Sequence, residues 1–257
     1  MINTPYSTLI AAAAAVFAVA PQASAQDSGS AGISFELGAA GKMTPRYFGA
    51  SKLVLSPVPL FRLKLLELPN GFTIGGGSDE GFSLSPSIEV IGRRSTKDSP
   101  ELTGLTTIDT AVELGVAAKY QTESFRVMGA VRHGFGGHTG VRAELGADVI
   151  MRANEQLSFH AGPRLNFGDS KFTNTYFGVT AADASALYPA TTASGGLYSA
   201  GLEAGARYQV NDAWAVEAGA GWSRLTGDAA SSPITTQGSK NQYSASFGVV
   251  RRFDIGF

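Results

Sequence analysis

Apolar and polar residues alternate with a period of two through nearly the whole chain, most plainly in its last seven residues, Arg251-Arg252-Phe253-Asp254-Ile255-Gly256-Phe257. Phe253, Ile255 and Phe257 fall on one side, Arg252, Asp254 and Gly256 on the other. A period of two is the signature of a strand, whose successive side chains point to opposite faces. The same pattern recurs upstream. Val112, Leu114, Val116, Ala118 and Tyr120 oppose Glu113, Gly115, Ala117 and Lys119; Val141, Ala143, Leu145, Ala147, Val149 and Met151 oppose Arg142, Glu144, Gly146, Asp148 and Arg152. Tyr198 to Tyr208, Trp214 to Trp222 and Tyr243 to Val249 behave alike. A chain written this way is all-β, and nothing after residue 25 reads as helical. Segments 71–77 and 171–180 are expected to add short strands, for a total of about 12.

The N-terminal stretch Leu9–Ala20 is almost wholly apolar. It is too short to cross ~30 Å of hydrocarbon as a helix. It has the length of the apolar region of a secretory signal, and Ala23-Ser24-Ala25 supplies the small-residue cleavage site. Residues 1–25 are therefore expected to be a cleaved signal peptide and 26–257 a single barrel domain. No Lys or Arg precedes Lys42, so the amino terminus alone charges this segment. The chain has no Cys, which excludes disulfides and thiolate chemistry. Its 20 Lys and Arg against 21 Asp and Glu give no electrostatic footprint for nucleic acid.

Alternation alone does not say which face points outward. Two features favour a barrel with lipid outside and water within. The polar rows carry full charges of both signs, as at Arg142, Glu144, Asp148 and Arg152, and aromatics mark strand ends at Tyr120, Tyr198, Tyr208, Trp214, Trp222 and Phe257. Lumen-facing charges and aromatic girdles belong to antiparallel transmembrane barrels of the Gram-negative outer membrane, which have even strand numbers. Tight turns are expected at Asn70-Gly71, Asn154-Glu155-Gln156 and Asn211-Asp212. Stretches 93–107, 181–195 and 226–241 are longer, polar, and expected to lie outside.

Several segments between the strands resemble the MipA/OmpV family of Gram-negative outer-membrane proteins. They are Pro45-Arg46-Tyr47-Phe48-Gly49-Ala50-Ser51, with its P-x-Y-x-G spacing, then Pro57-Val58-Pro59-Leu60, Gly92-Arg93 and Val112-Glu113-Leu114-Gly115-Val116. Gly136-Gly137-His138-Thr139-Gly140, Gly162-Pro163, Tyr176-Phe177-Gly178-Val179-Thr180, Leu225–Ile234 and the final Phe257 follow in order. The resemblance implies a monomeric barrel. It also implies a scaffold linking a murein-degrading to a murein-synthesising enzyme, and a terminal Phe257 read by the barrel-assembly machinery.

Read from residues alone, the same segments are structural. Gly136 to Gly140 reads as a hairpin with glycines at positive φ. It is not a dinucleotide fingerprint, because Thr139 stands where a third Gly belongs. Tyr176-Phe177-Gly178 reads as a strand at an interface, and Asp228–Pro233 as a turn.

Nucleophilic catalysis needs a base within reach of a nucleophile. The histidines are His133, His138 and His160, and His160 alone has a Ser, Ser158, two positions away on its own face. Both would face the lumen, away from lipid substrates. No catalytic, cofactor-binding or metal residue is assigned, and no cofactor is expected. The reading is a non-enzymatic outer-membrane protein in contact with lipid. A passive small-solute channel is the alternative, and a lipid-modifying enzyme the remoter one.

Overall fold

The computed structural model describes residues 31–69, 73–75 and 80–257. The expected signal peptide, 1–25, and the turn at Asn70-Gly71 lie outside the described residues. The strands are β1 (Gly32–Pro45), β2 (Leu53–Glu67), β3 (Thr73–Gly75), β4 (Gly81–Ile91), β5 (Ala111–Gln121), β6 (Phe125–Gly136), β7 (Val141–Arg152) and β8 (Leu157–Gly168). A helix α1 (Ser170–Phe177) precedes β9 (Gly196–Gln209) and β10 (Trp214–Leu225). The short helices α2 (Gly227–Ser231) and α3 (Pro233–Thr236) lead into β11 (Asn241–Gly256).

Every pairing is antiparallel, in the order β3-β2-β1-β11-β10-β9-β8-β7-β6-β5-β4. The first and last long strands pair directly, from Gly32↔Gly256 to Met43↔Ala245. Ten long strands thus make a near-closed barrel, to which β3 adds three residues. The expected count of about 12 is corrected by this. Segment 171–180 is mostly helix, and 71–77 contributes only Thr73–Gly75.

Closure is incomplete at one seam. β3 joins β2 only over Leu65–Glu67, and β4 pairs with β5; among the described residues no ladder joins β2 or β3 to β4. Pro57 and Pro59 on β2 and Pro86 on β4 lie on these two edges. Proline has no N–H to give a ladder and is favoured on such edges; Pro163 of the interior strand β8 falls where the β7–β8 register is interrupted, between Gly146↔Arg164 and Val149↔Ala161.

The outward rows are apolar, as alternation requires of a wall facing lipid. Leu145 is 52% exposed and Val149 69%, while their neighbours Arg142 and Asp148 are buried inside. The expected facing of β7 therefore holds. Tyr120, Tyr208, Trp222 and Phe257 are exposed near strand ends. Among the described residues no helix is long and apolar enough to cross a membrane.

One end of the barrel carries tight turns built by side chains. Asn154 Oδ1 accepts the N–H groups of Gln156 and Leu157 at 2.9 and 2.8 Å, and Asn211 Oδ1 those of Ala213 and Trp214 at 3.0 and 2.9 Å. Such Asx turns stop a strand without a long loop. The long connections 92–110, 169–195 and 226–240 all lie at the opposite end. There they fold inward over the mouth and form a cap with a hydrophobic core of its own.

Candidate functional site

The cap begins with α1, which the strand reading missed. Asp169 caps it by accepting the N–H of Phe172 at 2.8 Å. Phe172, Thr173, Tyr176 and Phe177 are buried on one side of the helix. The spacing of one, four and five residues is helical. The aromatic run 176–178 resembles a strand only when Asp169 and Phe172 are left out of view. The expected turn at Asp228–Pro233 is likewise two short helices. Ser232 joins them, its hydroxyl donating to Phe177 O at 2.6 Å and accepting from Ile234 N–H at 3.2 Å.

Two buried clusters hold the cap. Phe172, Tyr176, Phe177, Tyr198 and Leu225 pack with Ile108 and Ala229, with Phe48 against them. Tyr47, Leu102, Leu105, Val179, Tyr188 and Ile234 form the second. Hydrogen bonds stitch the loops together. Arg94 Nη1 donates to Tyr176 O at 2.9 Å, Tyr188 Oη to Glu101 O at 2.6 Å, and Gly49 N–H to Gln242 Oε1 at 3.1 Å. Burial and the nearby Glu101 push the Tyr47 hydroxyl up to about 12, and burial pulls Arg94 down to about 10. Tyr188 and Tyr176 are also raised, chiefly by burial.

Tyr198 corrects a further expectation. It is not a girdle residue but 4% exposed, inside the cap. The β8–β9 register slips here: Asn166 pairs with Ser199 and Phe167 with Leu197, leaving Tyr198 as the extra residue of a bulge. A bulge re-aims a side chain, and this one turns Tyr198 inward.

Beneath the cap lies a buried polar cluster. Arg142 Nη1 reaches Glu113 Oε2 at 2.8 Å and Glu89 Oε2 at 3.4 Å, and its Nε donates to Tyr198 Oη at 3.0 Å. The rings of Phe172, Phe48 and Tyr198 surround its guanidinium carbon at 5.3, 5.9 and 5.9 Å. Its positive charge is thus held by carboxylates and by ring faces.

His138 completes the cluster. Its Nδ1 accepts Gly140 N–H at 3.2 Å, so the remaining ring proton of the neutral form sits on Nε2, 3.0 Å from Glu113 Oε1. That contact has ion-pair distance without hydrogen-bond alignment. Of the hairpin glycines expected at positive φ, Gly136 has one, +90, whereas Gly137 and Gly140 do not. Gly134 leaves space that the His138 ring fills; a Cβ there would collide with the ring.

Deeper in the lumen, charges pair across strands. Asp148 receives Arg164 at 2.7 Å and Arg126 at 2.5 Å, and Arg132 meets Glu89 at 3.1 Å and Glu144 at 3.4 Å. Glu36 and Glu217 share Arg62 and Arg207, at 2.6 to 3.1 Å. Ser158 and His160 lie together on the inward row of β8. Among the described residues no cluster of His, Asp and Glu has the grouping of a metal site. Glu113 was legible only as one member of an alternating row. Its pairing with His138 and Arg142 required the loop at 137–140 to fold inward, which no short-range spacing signals.

Segments remote in sequence thus converge on one mouth: Tyr47-Phe48-Gly49, His138, Tyr176-Phe177 and Ser232-Pro233-Ile234. A family model described as MltA-interacting protein MipA matches residues 37–253, from β1 into β11. The chain belongs to the MipA family. It is a MipA-family β-barrel of the Gram-negative outer membrane, and its apolar outer wall suits a lipid surround. No curated protein matches the sequence.

Among solved structures, the MipA-family barrel is similar to an outer membrane channel from Pseudomonas putida F1, at 12% identity over 92% of this chain and all of that one, with a TM-score of 0.42. It is similar to OmpT of Vibrio cholerae at 10% identity, over 89% and 99% of the two chains, with a TM-score of 0.34. Neisserial surface protein A aligns at 12% identity over 88% and 98%, with a TM-score of 0.31.

Proposed function

We propose that this protein is a closed outer-membrane scaffold, docking a murein-degrading enzyme and bringing it to a murein-synthesising one. The observation that carries the reading is the aromatic cap seated on the Arg142–Glu113 pair across the mouth. A ten-stranded bore is wider than the eight-stranded barrel that side chains just fill. Here it is occupied by opposed charges and then roofed, an arrangement that favours rigidity over solute passage. The family's description names interaction with MltA, which supports a murein hydrolase as the partner.

In this reading the mature chain starts at Gln26 and works as a monomer. The tight turns face the periplasm, as short turns do in such barrels, and the cap faces outward. The partner surface is then the turn end. No residue is assigned a catalytic role, and no cofactor is required.

Two measurements test the proposal. In planar bilayers the purified protein should give no steady conductance; stable open channels would favour the passive pore. Co-precipitation from detergent extracts should recover an MltA-type hydrolase. Failure to recover one under conditions that keep the barrel folded would overturn the scaffold.

A further inference from the structure

The outward row of β11 carries one cation. Tyr243, Ala245, Phe247 and Val249 lie on the cap side of it, Phe253 and Ile255 on the turn side. Between them is Arg251, the ladder partner of Trp214. Its guanidinium carbon lies 5.5 Å from the Trp214 ring and 5.0 Å from that of Phe253. Phe253 in turn stacks on Phe35 at 5.3 Å. The next residue, Arg252, faces inward and is neutralised by Asp254 at 3.0 Å. Arg251 has no such partner among the described residues, and its Nε is buried without a hydrogen bond.

Depth decides what such a group can meet. Trp214 opens β10 immediately after the Asn211 turn, so on that side Arg251 is level with the turn-side end of the wall, and Phe253 and Ile255 carry the outward row of β11 further toward the turn end. Aromatic girdles lie at the level of lipid headgroups, where a lipid-facing Arg costs little. Two rings hold the guanidinium in place by cation–π attraction. Its planar fork of N–H donors suits a phosphate, and the apolar row from Phe247 to Val249 offers acyl chains a continuous surface.

We propose that Arg251 binds the phosphate of a glycerophospholipid in the leaflet at the turn end, with Trp214 and Phe253 as the walls of the site. The proposal depends on the barrel standing in a membrane and is independent of its scaffolding role.

Native mass spectrometry of the purified protein from mixed micelles tests it, with phosphatidylglycerol, diacylglycerol and inorganic phosphate as separate probes. The unaltered protein should retain phosphatidylglycerol about tenfold better than Arg251→Gln, as loss of a charge-assisted hydrogen bond implies. Diacylglycerol should show no such difference, and millimolar inorganic phosphate should not displace the lipid. Arg252→Gln should bind like the unaltered protein. Equal retention by Arg251→Gln, an equal loss in Arg252→Gln, or displacement by inorganic phosphate would overturn the proposal. Should Arg251→Gln not assemble, the double variant Trp214→Leu, Phe253→Leu keeps the charge and removes the walls. Its retention should fall, and unchanged retention would be equally fatal.

Discussion

Arg142 Nη1 lies 2.8 Å from Glu113 Oε2 although β6 separates their strands in the wall. Both side chains are almost wholly withdrawn from solvent, at 7% and 0% exposure. Removing one partner of a buried pair costs up to about 3–5 kcal/mol, and without Glu113 the Arg142 guanidinium keeps one carboxylate, Glu89 at 3.4 Å, which reduces that cost. Glu113→Ala should lower the denaturant midpoint of the barrel accordingly, and Glu113→Gln, which keeps an acceptor, should lower it less. Equal midpoints for all three proteins would remove the pair from any structural role.

Glu144 and Leu145 are neighbours on opposite faces of β7. Leu145 faces lipid near mid-strand, where an Arg costs roughly 2–4 kcal/mol. Leu145→Arg should block assembly, whereas Glu144→Gln loses the charge that Arg132 meets through Nη1 and Nη2, both at 3.4 Å, keeps an acceptor, and should assemble normally. Folded barrel in membrane fractions, scored by heat-modifiable gel migration, decides between them. A worse outcome for Glu144→Gln would invert the facing.

Phe172 is fully buried and touches the rings of His138, Phe48, Tyr176 and Tyr198. Phe172→Ala should cost about 3–5 kcal/mol, confined to the cap because the strand ladders do not depend on it. Proteases should then cut the β8–β9 connection while the barrel keeps its heat-modifiable migration. Loss of both together would show cap and wall to be one cooperative unit.

Tyr47, Tyr176 and Tyr188 have hydroxyls raised above the usual value of 10. A raised folded value means stability that is complete below pH 10 and lost as pH climbs through the folded value, which for Tyr47 is about 12. Tyrosinate absorbance should therefore show a late-ionising class, and cap opening should accompany it. Tyr47→Phe should remove part of that class; a single transition at the ordinary value would contradict the burial.

Phe257 is 61% exposed, and its N–H donates to Ala31 O at 2.8 Å. One exposed hydrogen bond contributes about 1 kcal/mol, so its deletion should barely alter the stability of barrel already folded. Membrane levels should nevertheless fall if the terminal ring is read during insertion. Pulse-chase recovery in membranes separates the two effects.

The wall was legible because lipid and water each impose one row of the strand period; Val141 to Arg152 needed nothing else. The cap was not. Tyr198 turns inward through a register slip that depends on where β8 ends, and α1 is fixed by one Asp cap and a face that only the neighbouring loops bury. Arg251 was readable by parity with Phe253. Its doublet with Arg252 hides the fact that the two point to opposite sides.

The pairing of β1 with β11 also sets the order of events in folding. Gly32 and Gly256 meet across almost the whole described chain, and contacts so distant in sequence form slowly. Until they form, the growing sheet presents unpaired edges, the usual templates for misassembly. β11 has no proline, and β1 has one only at its last residue, Pro45, whereas β2 and β4 carry theirs mid-strand. The edges able to accept a full ladder are therefore the two that belong together, which makes the final zipping step selective as well as slow.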